Sequence, residues 1–376
     1  MPDVYVLQGG DPAQMAYDAI SRVFHEDPAE LSVLLKVNTG FKGPAASGLC
    51  THPEVVRGLI RYFKARSVKK LYVGDSSIVG VDSVEALKSA GIWGVCEEEG
   101  VECLNLDDSG MHVQEIPDPV MVSQLKMSNL PFEVDRVISV PVIKTHMYAT
   151  VTLGIKNMKG CLYQKDKTRL HRINQAPPDI HKGKCLDYGI ADLMKVCYPD
   201  YVVTDGVVAM EGFGPSGGTP VNLGVVLASD DALSADLTAV QLMGMATDSV
   251  PHLNLMREQR GLALVRLLAK RLHLPVRREK AGLLACELHM KAGLYDRLRP
   301  GTRRDVLWTV ATRGLMKEFW SVVDADSKQD ISSKALEDTA LLRTIGLPPQ
   351  WQNKGAESAR KLRELHCQAL VGSRSA

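Results

Sequence analysis

Short runs of apolar residues alternate with amphipathic runs over the first 250 residues of the chain. Ser32–Val37 (SVLLKV) and Tyr201–Thr204 (YVVT) are rich in apolar residues, which predicts strands buried on both faces of a sheet. Runs between such strands have helical periodicity, and one of them opens with the capping box Thr51–Glu54. This alternation predicts an α/β domain that has a mostly parallel sheet with helices on both faces.

The pattern changes near residue 255, where strand-like runs end and helical periodicity continues. We therefore predict an α/β domain over residues 1–250 that carries the site, and an all-helical C-terminal extension over residues 251–376. Residues 255–300 contain eleven lysines and arginines against four acidic residues. Within them, Gly261–Leu274 is typical either of a helix that binds a membrane surface or a partner, or of a helix packed on the sheet domain with a solvated basic face. Of these two we favour the packed helix.

Charge and hydropathy exclude several classes of function. The 45 lysines and arginines are balanced by 44 acidic residues, and the net charge of +1 argues against electrostatic binding of nucleic acid. No apolar run approaches the ~18 residues that span a bilayer. The N-terminal sequence Met1–Val4 lacks the basic and apolar regions of a signal peptide, so we expect a cytoplasmic protein without a transmembrane segment.

Eight cysteines are scattered along the chain, and none of them forms a C-x-x-C pair. Ferredoxin-type clusters need closely spaced cysteines, and paired zinc knuckles need two such pairs, so the chain has no iron–sulfur or zinc motif of these kinds. Scattered cysteines in a cytoplasmic chain are usually buried free thiols. Cys161 is the one best placed to be a reactive thiol or a metal ligand.

The densest group of charged and polar residues follows directly after the predicted strand Arg136–Ile143. Lysines cannot be buried without partners, so this segment fits a protein core poorly. Lysine side chains and backbone N–H groups instead suit a binding site for a small anion, a carboxylate or a phosphate. An exposed basic loop with one structural histidine is the alternative. The candidate residues in this segment are Lys144, Thr145, His146, Lys156, Asn157 and His171.

Two other predicted strands end in polar residues: Lys36 and Asn38 lie at the end of Ser32–Val37, and Asp75 follows the next predicted strand, Lys70–Gly74. Ligands of parallel sheets bind beyond the carboxyl ends of the strands, so these side chains can converge on one ligand. The residues predicted to bind the substrate are Lys36, Asn38, Lys144, Thr145 and Asn157. A histidine can move a proton near neutral pH. The residues predicted to be catalytic are His146, Lys156 and His171.

A glycine-rich segment follows the strand Tyr201–Thr204. Its residues Gly212–Gly217 match G-x-G-x-x-G, but the chain then enters a strand and not the helix of a dinucleotide site, so we expect a flexible loop through which the backbone approaches a ligand. We expect Asp230 or Asp231 to cap a helix, whereas Asp236, one turn further on, has no such simple explanation. The carboxylates that could hold a divalent metal such as Mg²⁺ or Mn²⁺ are Asp75, Asp205 and Glu211.

Five motifs occur in order and together resemble one family, the uncharacterised bacterial and archaeal domain of unknown function 362. They are KVN (Lys36–Asn38), THPEVV (Thr51–Val56), VGDSS (Val73–Ser77), KTH with VTLGIKNMKG (Lys144–Gly160), and DGVVAMEGFGPSGG with ASDDALSAD (Asp205–Asp236). The resemblance covers residues 5–245 and implies anaerobic redox metabolism, often with a ferredoxin-type cluster. This chain lacks the cluster cysteines, so electron transfer would require a ferredoxin-like redox partner.

His146, Lys156 and His171 also resemble the active-site segment of nickel-pincer lactate racemases, because they are spaced 10 and 15 residues apart around glycines. In those enzymes the histidines exchange a proton or hydride equivalent at the substrate α-carbon, and the lysine holds the pincer cofactor covalently. The glycine pair expected before the lysine is reduced here to Gly154. The likeness therefore implies a His/Lys acid–base site but not the cofactor, whose identity stays open.

These features favour an enzyme that binds a small anionic metabolite and transfers a proton or hydride, as an oxidoreductase or a racemase does. The alternative is a non-catalytic protein that binds a metal or cofactor and docks a redox partner through its basic helical extension. One observable separates them. An enzyme brings Lys144, His146 and Lys156 into one enclosed pocket, whereas an accessory protein leaves them on an open face continuous with Arg257–Arg278.

Overall fold

The computed structural model describes residues 3–259, of which residues 3–257 lie in one compact unit. Its strands are β1 (Val4–Gln8), β2 (Ser32–Lys36), β3 (Lys70–Asp75), β4 (Glu102–Asn105), β5 (Met111–Glu115), β6 (Gln124–Ser128), β7 (Arg136–Ser139), β8 (Val142–His146), β9 (Thr150–Thr152), β10 (Tyr201–Phe213) and β11 (Gly217–Ser229). Its α-helices are α1 (Pro12–Ser21), α2 (Pro53–Ala65), α3 (Ser83–Ser89), α4 (Ile92–Glu99), α5 (Leu130–Glu133), α6 (Gly154–Asn157), α7 (Asp166–Arg169), α8 (Cys185–Leu193) and α9 (Ala232–Leu242).

Helical structure also begins at residue 251. No helix of the described residues is both long and apolar enough to cross a bilayer. The basic segment Gly261–Leu274 and nearly all of the predicted extension over residues 251–376 lie outside the described residues. The boundary between an α/β domain and a helical extension therefore stays a prediction.

A nine-stranded mixed sheet forms the centre of the compact unit. Its strands follow the order β1-β11-β10-β7-β2-β3-β4, and β8 pairs with both β10 and β9. The strands β7, β2, β3 and β4 are parallel to their neighbours, and β10 is parallel to β7 and β8. This parallel part agrees with the predicted alternation, because helices such as α2 carry the chain from the end of one strand to the start of the next.

The prediction of an α/β fold is confirmed, but the sheet is more mixed than predicted. Antiparallel pairs join β1 to β11, β10 to β11, and β8 to β9. Short connections explain two of these pairs: residues 214–216 join β10 to β11, and residues 147–149 join β8 to β9. A parallel pair needs a crossover of about a dozen residues or more. The segment Gly212–Gly217, predicted as a flexible loop, is the tip of the β10–β11 hairpin.

Alternating residues of the strands face two separate hydrophobic cores. Leu34 of β2 packs in one core, and its neighbours Val33 and Leu35 pack in the other. In β10, Val202 packs in the same core as Leu34, and Val203 packs in the other core. One core includes residues of α8 and α9, and the other includes residues of α1, α2 and α4. Helices therefore cover both faces of the sheet, as the apolar strands predicted.

Two local predictions are corrected by the structure. The predicted strand Arg136–Ile143 is divided into β7 and β8, and Pro141 in the gap has no N–H to donate to a ladder. Helix α2 is capped by His52, whose Nδ1 accepts a backbone N–H of the first turn at 3.2 Å, and not by Thr51. The Thr51 hydroxyl instead donates to Val140 O at 2.7 Å, which ties the segment before α2 to the segment between β7 and β8.

Candidate functional site

The carboxyl ends of β2 and β3 place Lys36 and Asp75 side by side. Lys36 is opposite Gly74 in the parallel register, so the next residue of β3 reaches the ammonium group. The distance from Lys36 Nζ to Asp75 Oδ1 is 2.6 Å, and the two side chains are 0% and 3% exposed. Asp75 Oδ2 accepts from Thr39 N at 2.6 Å. The charge of Lys36, which was predicted to bind the substrate, is thus neutralised inside the fold.

Two of the predicted asparagines surround this ion pair. Asn157 Nδ2 donates to Lys36 O at 2.9 Å, and Asn157 Oδ1 accepts from Asn38 Nδ2 at 3.0 Å. Lys36 Nζ also donates to Asn157 Oδ1 at 3.4 Å. The structure therefore brings Lys36, Asn38 and Asn157 together from distant parts of the chain, but they are bonded mainly to one another. Asn38 Oδ1 is buried and has no hydrogen-bond partner.

Three other lysines form what we call the lysine cluster, which consists of Lys144, Lys156 and Lys159. Within the described residues, no carboxylate lies within ion-pair distance of any of them. Lys144 is buried, and its Nζ donates to Leu49 O at 2.6 Å. Burial lowers the pKa of Lys144 and of Lys159 to about 8. Burial, assisted by the charges of Lys159 and Lys144, lowers the pKa of Lys156 well below its usual value.

His146 lies at the end of β8, next to the lysine cluster. Its Nδ1 accepts from Tyr148 N at 3.1 Å and from Ala149 N at 3.2 Å. Burial, followed by the positive charges of Lys156 and Lys159, lowers the pKa of His146 to about 2. The ring is therefore neutral near pH 7, and we assign its proton to Nε2 because Nδ1 is an acceptor. Such a ring can donate to a ligand from Nε2.

His171 contacts the lysine cluster from another segment, with 2.7 Å between its Nε2 and Lys159 Nζ. The His171 side chain is exposed, but its partial desolvation beside the cluster, assisted by the charges of Lys159 and Lys156, lowers its pKa to about 4. A neutral ring accepts a hydrogen bond from the Lys159 ammonium group at Nε2. His146 is coupled electrostatically to Lys156, Lys159 and His171. The three predicted catalytic residues thus surround one site, together with Lys159, which was not predicted.

Helix α6 carries Lys156 and is held in place by Asp236. The Asp236 carboxylate accepts from Gly154 N at 2.7 Å and from Ile155 N at 2.9 Å. Burial raises the pKa of Asp236 to about 7. A Cβ on Gly154 would lie 2.9 Å from Asp236 Oδ1, so a side chain does not fit there. Asp231 caps α9 as predicted, whereas Asp236 anchors the segment of the lysine cluster.

The three carboxylates predicted to hold a metal are not brought together. Asp75 is bonded to Lys36. Asp205 is buried, which raises its pKa to about 7, and its oxygens accept backbone N–H groups, including His52 N at 2.6 Å. Glu211 is exposed on the β10–β11 hairpin. No group of three or more His, Cys, Asp or Glu residues in the described part of the chain could hold a metal ion. In the described part of the chain, these three carboxylates therefore do not form a shared metal site.

Thr145 and Cys161 have partners within the fold. The Thr145 hydroxyl donates to Gly212 O at 2.9 Å, so it fixes the tip of the β10–β11 hairpin. Cys161 is buried, and a hydrogen bond with the Cys197 thiol lowers its pKa. Every cysteine among the described residues is a free thiol, as the scattered pattern predicted.

A buried pair near the lysine cluster was not predicted. His252 Nδ1 lies 3.5 Å from Asp187 Oδ1, and the two side chains are 0% and 2% exposed. Both ring nitrogens of His252 and the Oδ1 atom of Asp187 lack a hydrogen bond. Burial lowers the pKa of His252 and outweighs the neighbouring Asp187 carboxylate, which acts in the opposite direction. Neither residue belongs to a recognisable motif, so only their approach in three dimensions reveals them.

The fold and this site define an α/β protein with an electropositive region beside the carboxyl end of β8. The chain belongs to the family described as "Domain of unknown function (DUF362)", which it matches over residues 33–241, more than half of its length. The family predicted from the five motifs is thereby confirmed. The matched range includes the ion pair, the lysine cluster and Asp236.

The sequence identity to individual proteins is 27% or less in the three examples that follow. A curated relative, a thylakoid-associated protein of Synechocystis sp., is 27% identical over 231 residues, and the match spans 58% of this chain and 65% of the relative. The lactate racemase apoprotein from Thermoanaerobacterium thermosaccharolyticum is 13% identical with a TM-score of 0.39, covering 63% of this chain and 56% of that chain. A solved protein from Thermotoga maritima is 14% identical with the same TM-score, covering 63% and 60%. A racemase is thus among the similar structures, as predicted, but scores this low carry no conclusion about chemistry.

Proposed function

We propose that this chain binds a small carboxylate or phosphate anion at the lysine cluster and transfers a proton at the carbon next to the anionic group. One observation supports this most: Lys144, Lys156 and Lys159 share a partly buried region without a described carboxylate within ion-pair distance. A cation that is withdrawn from water without a partner is costly. A bound anion supplies the missing counter-charge, whereas Lys36 already has one in Asp75.

His146 and Lys156 have different roles in this proposal. Neutral His146 donates its Nε2–H to the anion, because its Nδ1 is held by two backbone N–H groups. Lys156 is the base, because its burial without a carboxylate within ion-pair distance favours the neutral amine. With a carboxylate substrate, the α-proton passes to Lys156 Nζ and the electron pair stays on the substrate. Lys144 and Lys159 stabilise the negative charge that develops.

Lys159 and His171 supply a second acid–base group. The Lys159 ammonium, hydrogen-bonded to His171 at 2.7 Å, can give one of its other protons to the substrate carbon after Lys156 has removed the first one, which leaves Lys159 as a neutral amine. A racemase-like reaction needs two such groups, because one removes the proton and the other returns it. Lys36, Asn38 and Asn157 position the site in this scheme and do not bind the anion directly, and Thr145 holds the neighbouring hairpin.

Isothermal titration of the purified full-length chain with L-lactate and with inorganic phosphate tests the binding step. We expect at least one of them to bind, and we expect Lys159→Met to weaken that binding by about tenfold or more, because Lys159 supplies a positive charge to the anion. Lys70→Met is the matched control, because Lys70 pairs with Glu102 at the exposed edge of the sheet, 2.9 Å away. Equal losses in both variants, or no binding of either anion, would contradict the proposal.

Proton transfer is tested separately, by NMR detection of deuterium at the α-carbon of lactate after incubation in D₂O with protein purified without oxygen. We expect incorporation by the wild-type chain and its loss in Lys156→Gln. Binding without incorporation would favour the alternative, a non-catalytic accessory protein. The basic segment by which that protein would dock a partner lies outside the described residues.

The redox role, the ferredoxin-like partner and the cytoplasmic location rest on the sequence and stay predictions.

A further inference from the structure

Three large apolar side chains are exposed on two hydrogen-bonded segments, one of which directly follows His146, and we call them the apolar rim: Met147, Tyr148 and Phe213. Their exposed fractions are 58%, 58% and 79%. A single exposed apolar residue is ordinary on a protein surface, whereas a group at one place indicates a binding surface. The rim combines the turn between β8 and β9 with the tip of the β10–β11 hairpin.

Hydrogen bonds hold the two segments of the apolar rim together. Met147 N donates to Gly214 O at 2.9 Å, and the Thr145 hydroxyl donates to Gly212 O at 2.9 Å. A Cβ on Gly214 would overlap the carbonyl group of Thr145, so the absence of a side chain there permits this close approach. Phe213 is therefore fixed between two anchored residues and next to Met147, although its ring is exposed.

The apolar rim begins where the charged site ends. The ring of Tyr148 lies edge-on to that of His171, with 5.9 Å between centroids, and 6.4 Å from that of His146. Tyr148 N also donates to His146 Nδ1. A molecule that covers the Tyr148 ring therefore lies within reach of both histidines and of Lys159, which is bonded to His171.

We propose that the anion bound at the lysine cluster carries an apolar body, at least the size of a phenyl ring, which packs on Met147, Tyr148 and Phe213. This inference rests on the proposed function, because the lysines are taken to hold the anionic group. Charge complementarity fixes one end of the ligand and apolar contact fixes the other. A ligand with an apolar end would cover the apolar rim, whereas a small polar acid such as lactate would leave the rim exposed to solvent.

The test compares pairs of anions that differ only in the apolar body: acetate with phenylacetate, and phosphate with phenyl phosphate, each titrated calorimetrically into the full-length chain. We expect the phenyl member of at least one pair to bind about tenfold more tightly. The pair that shows this ratio identifies the anionic group. Tyr148→Ser and Phe213→Ser should reduce the ratio toward one, and because both side chains are exposed, the melting temperature should change little.

Val113→Ser is the matched control, since Val113 is 51% exposed on the separate β5–β6 sheet. It should leave the ratio unchanged. If acetate and phosphate bind but the phenyl compounds bind no better, the inference is overturned and the proposed function survives. If no anion binds, both fail. Co-sedimentation with phosphatidylglycerol vesicles that depends on Phe213, combined with a ratio of one, would assign the apolar rim to a lipid surface and overturn the inference.

Discussion

Lys36 and Asp75 form a buried ion pair, with 2.6 Å between Nζ and Oδ1, at the carboxyl ends of two adjacent parallel strands. Hydrogen bonds from Thr39 N and Ser76 N to the Asp75 carboxylate, and from Lys36 Nζ to Val37 O, satisfy most of the remaining polar groups. The pair therefore belongs to the framework of the site.

Replacing one member of this ion pair should destabilise the fold strongly. We expect Lys36→Met to lower the free energy of unfolding by about 3–5 kcal/mol, because it leaves the Asp75 carboxylate buried without its counter-charge. Urea denaturation measures the change. Lys70→Met, at an exposed ion pair, should cost less than about 1 kcal/mol. Similar losses in the two variants would show that the buried Lys36–Asp75 pair contributes no more to stability than an exposed ion pair.

Gly160 should be intolerant of any side chain. A Cβ at this position would overlap Asp75 Oδ1 and Lys36 Nζ, two groups that cannot separate without losing their ion pair. We expect Gly160→Ala to lower the free energy of unfolding by about 2 kcal/mol or more. The control is Gly94→Ala in α4, where nothing lies within 4 Å of the new Cβ. It should be neutral or stabilising by up to about 1 kcal/mol, as alanine is favoured over glycine in helices.

The strands could be predicted from the sequence because a strand that is buried on both faces has consecutive apolar residues. Val33, Leu34 and Leu35 are all apolar since alternate residues enter different cores. The direction of the last strands was not predictable in the same way. Gly212–Gly217 has the composition of a flexible loop, and only its pairing as a hairpin makes β11 antiparallel to β10. Composition is local, whereas strand direction depends on which partner is available.

Residue types at the candidate site could be predicted, but their partners could not. Lys36 and Lys156 both occur in motifs that follow apolar strands. Lys36 faces Asp75 because β2 and β3 are neighbours in the sheet, and Lys156 faces no described carboxylate within ion-pair distance. Whether a lysine has a carboxylate partner depends on the order of the strands in the sheet, which could not be predicted from the sequence. Asp236 was noticed as an unexplained acid, and its explanation required the N-terminus of α6, 82 residues earlier in the chain.

The affinity for lactate should increase as the pH falls from 9.5 to 7. Burial lowers the pKa of Lys144 and Lys159 to about 8, so both gain protons in this interval while lactate stays ionised. The anion binds the protonated lysines, hence the lower pH favours binding. Titrations at pH 7, 8 and 9.5 measure the trend. Lys159→Arg keeps its charge throughout and should flatten the profile. A profile that is flat in the wild type would contradict the lowered pKa values of these two lysines.

His146 should stay neutral in the native protein at pH 5. Its pKa is lowered to about 2 by burial and by the nearby lysines, whereas a histidine in the unfolded chain has a pKa of about 6.5. The unfolded state therefore binds more protons, and this histidine reduces stability as the pH falls below about 6.5. Long-range ¹H–¹⁵N spectra should show a proton on Nε2 and none on Nδ1. An imidazolium spectrum at pH 6 would refute the assigned tautomer and the donor role.

Asp236 should connect the stability of α6 to anion binding. Asp236→Ala leaves the N–H groups of Gly154 and Ile155 buried without acceptors, so we expect a loss of roughly 1–3 kcal/mol in the free energy of unfolding at pH 7.5. Burial raises the pKa of Asp236 to about 7, so its contribution to stability is complete below about pH 4 and declines as the pH rises to 7. The loss should therefore be larger at pH 5 than at pH 8.

Phosphate or lactate binding by the same variant tests whether α6 positions Lys156. We expect Asp236→Ala to weaken binding several-fold, because Lys156 follows Ile155 directly in the anchored helix. Asp11→Ala, which removes the N-cap of α1 in the other hydrophobic core, is the matched control and should reduce stability by about 1 kcal/mol. It should leave the affinity unchanged. Equal affinities of the two variants would mean that Lys156 keeps its place without the Asp236 anchor, and the link between α9 and the site would have to be abandoned.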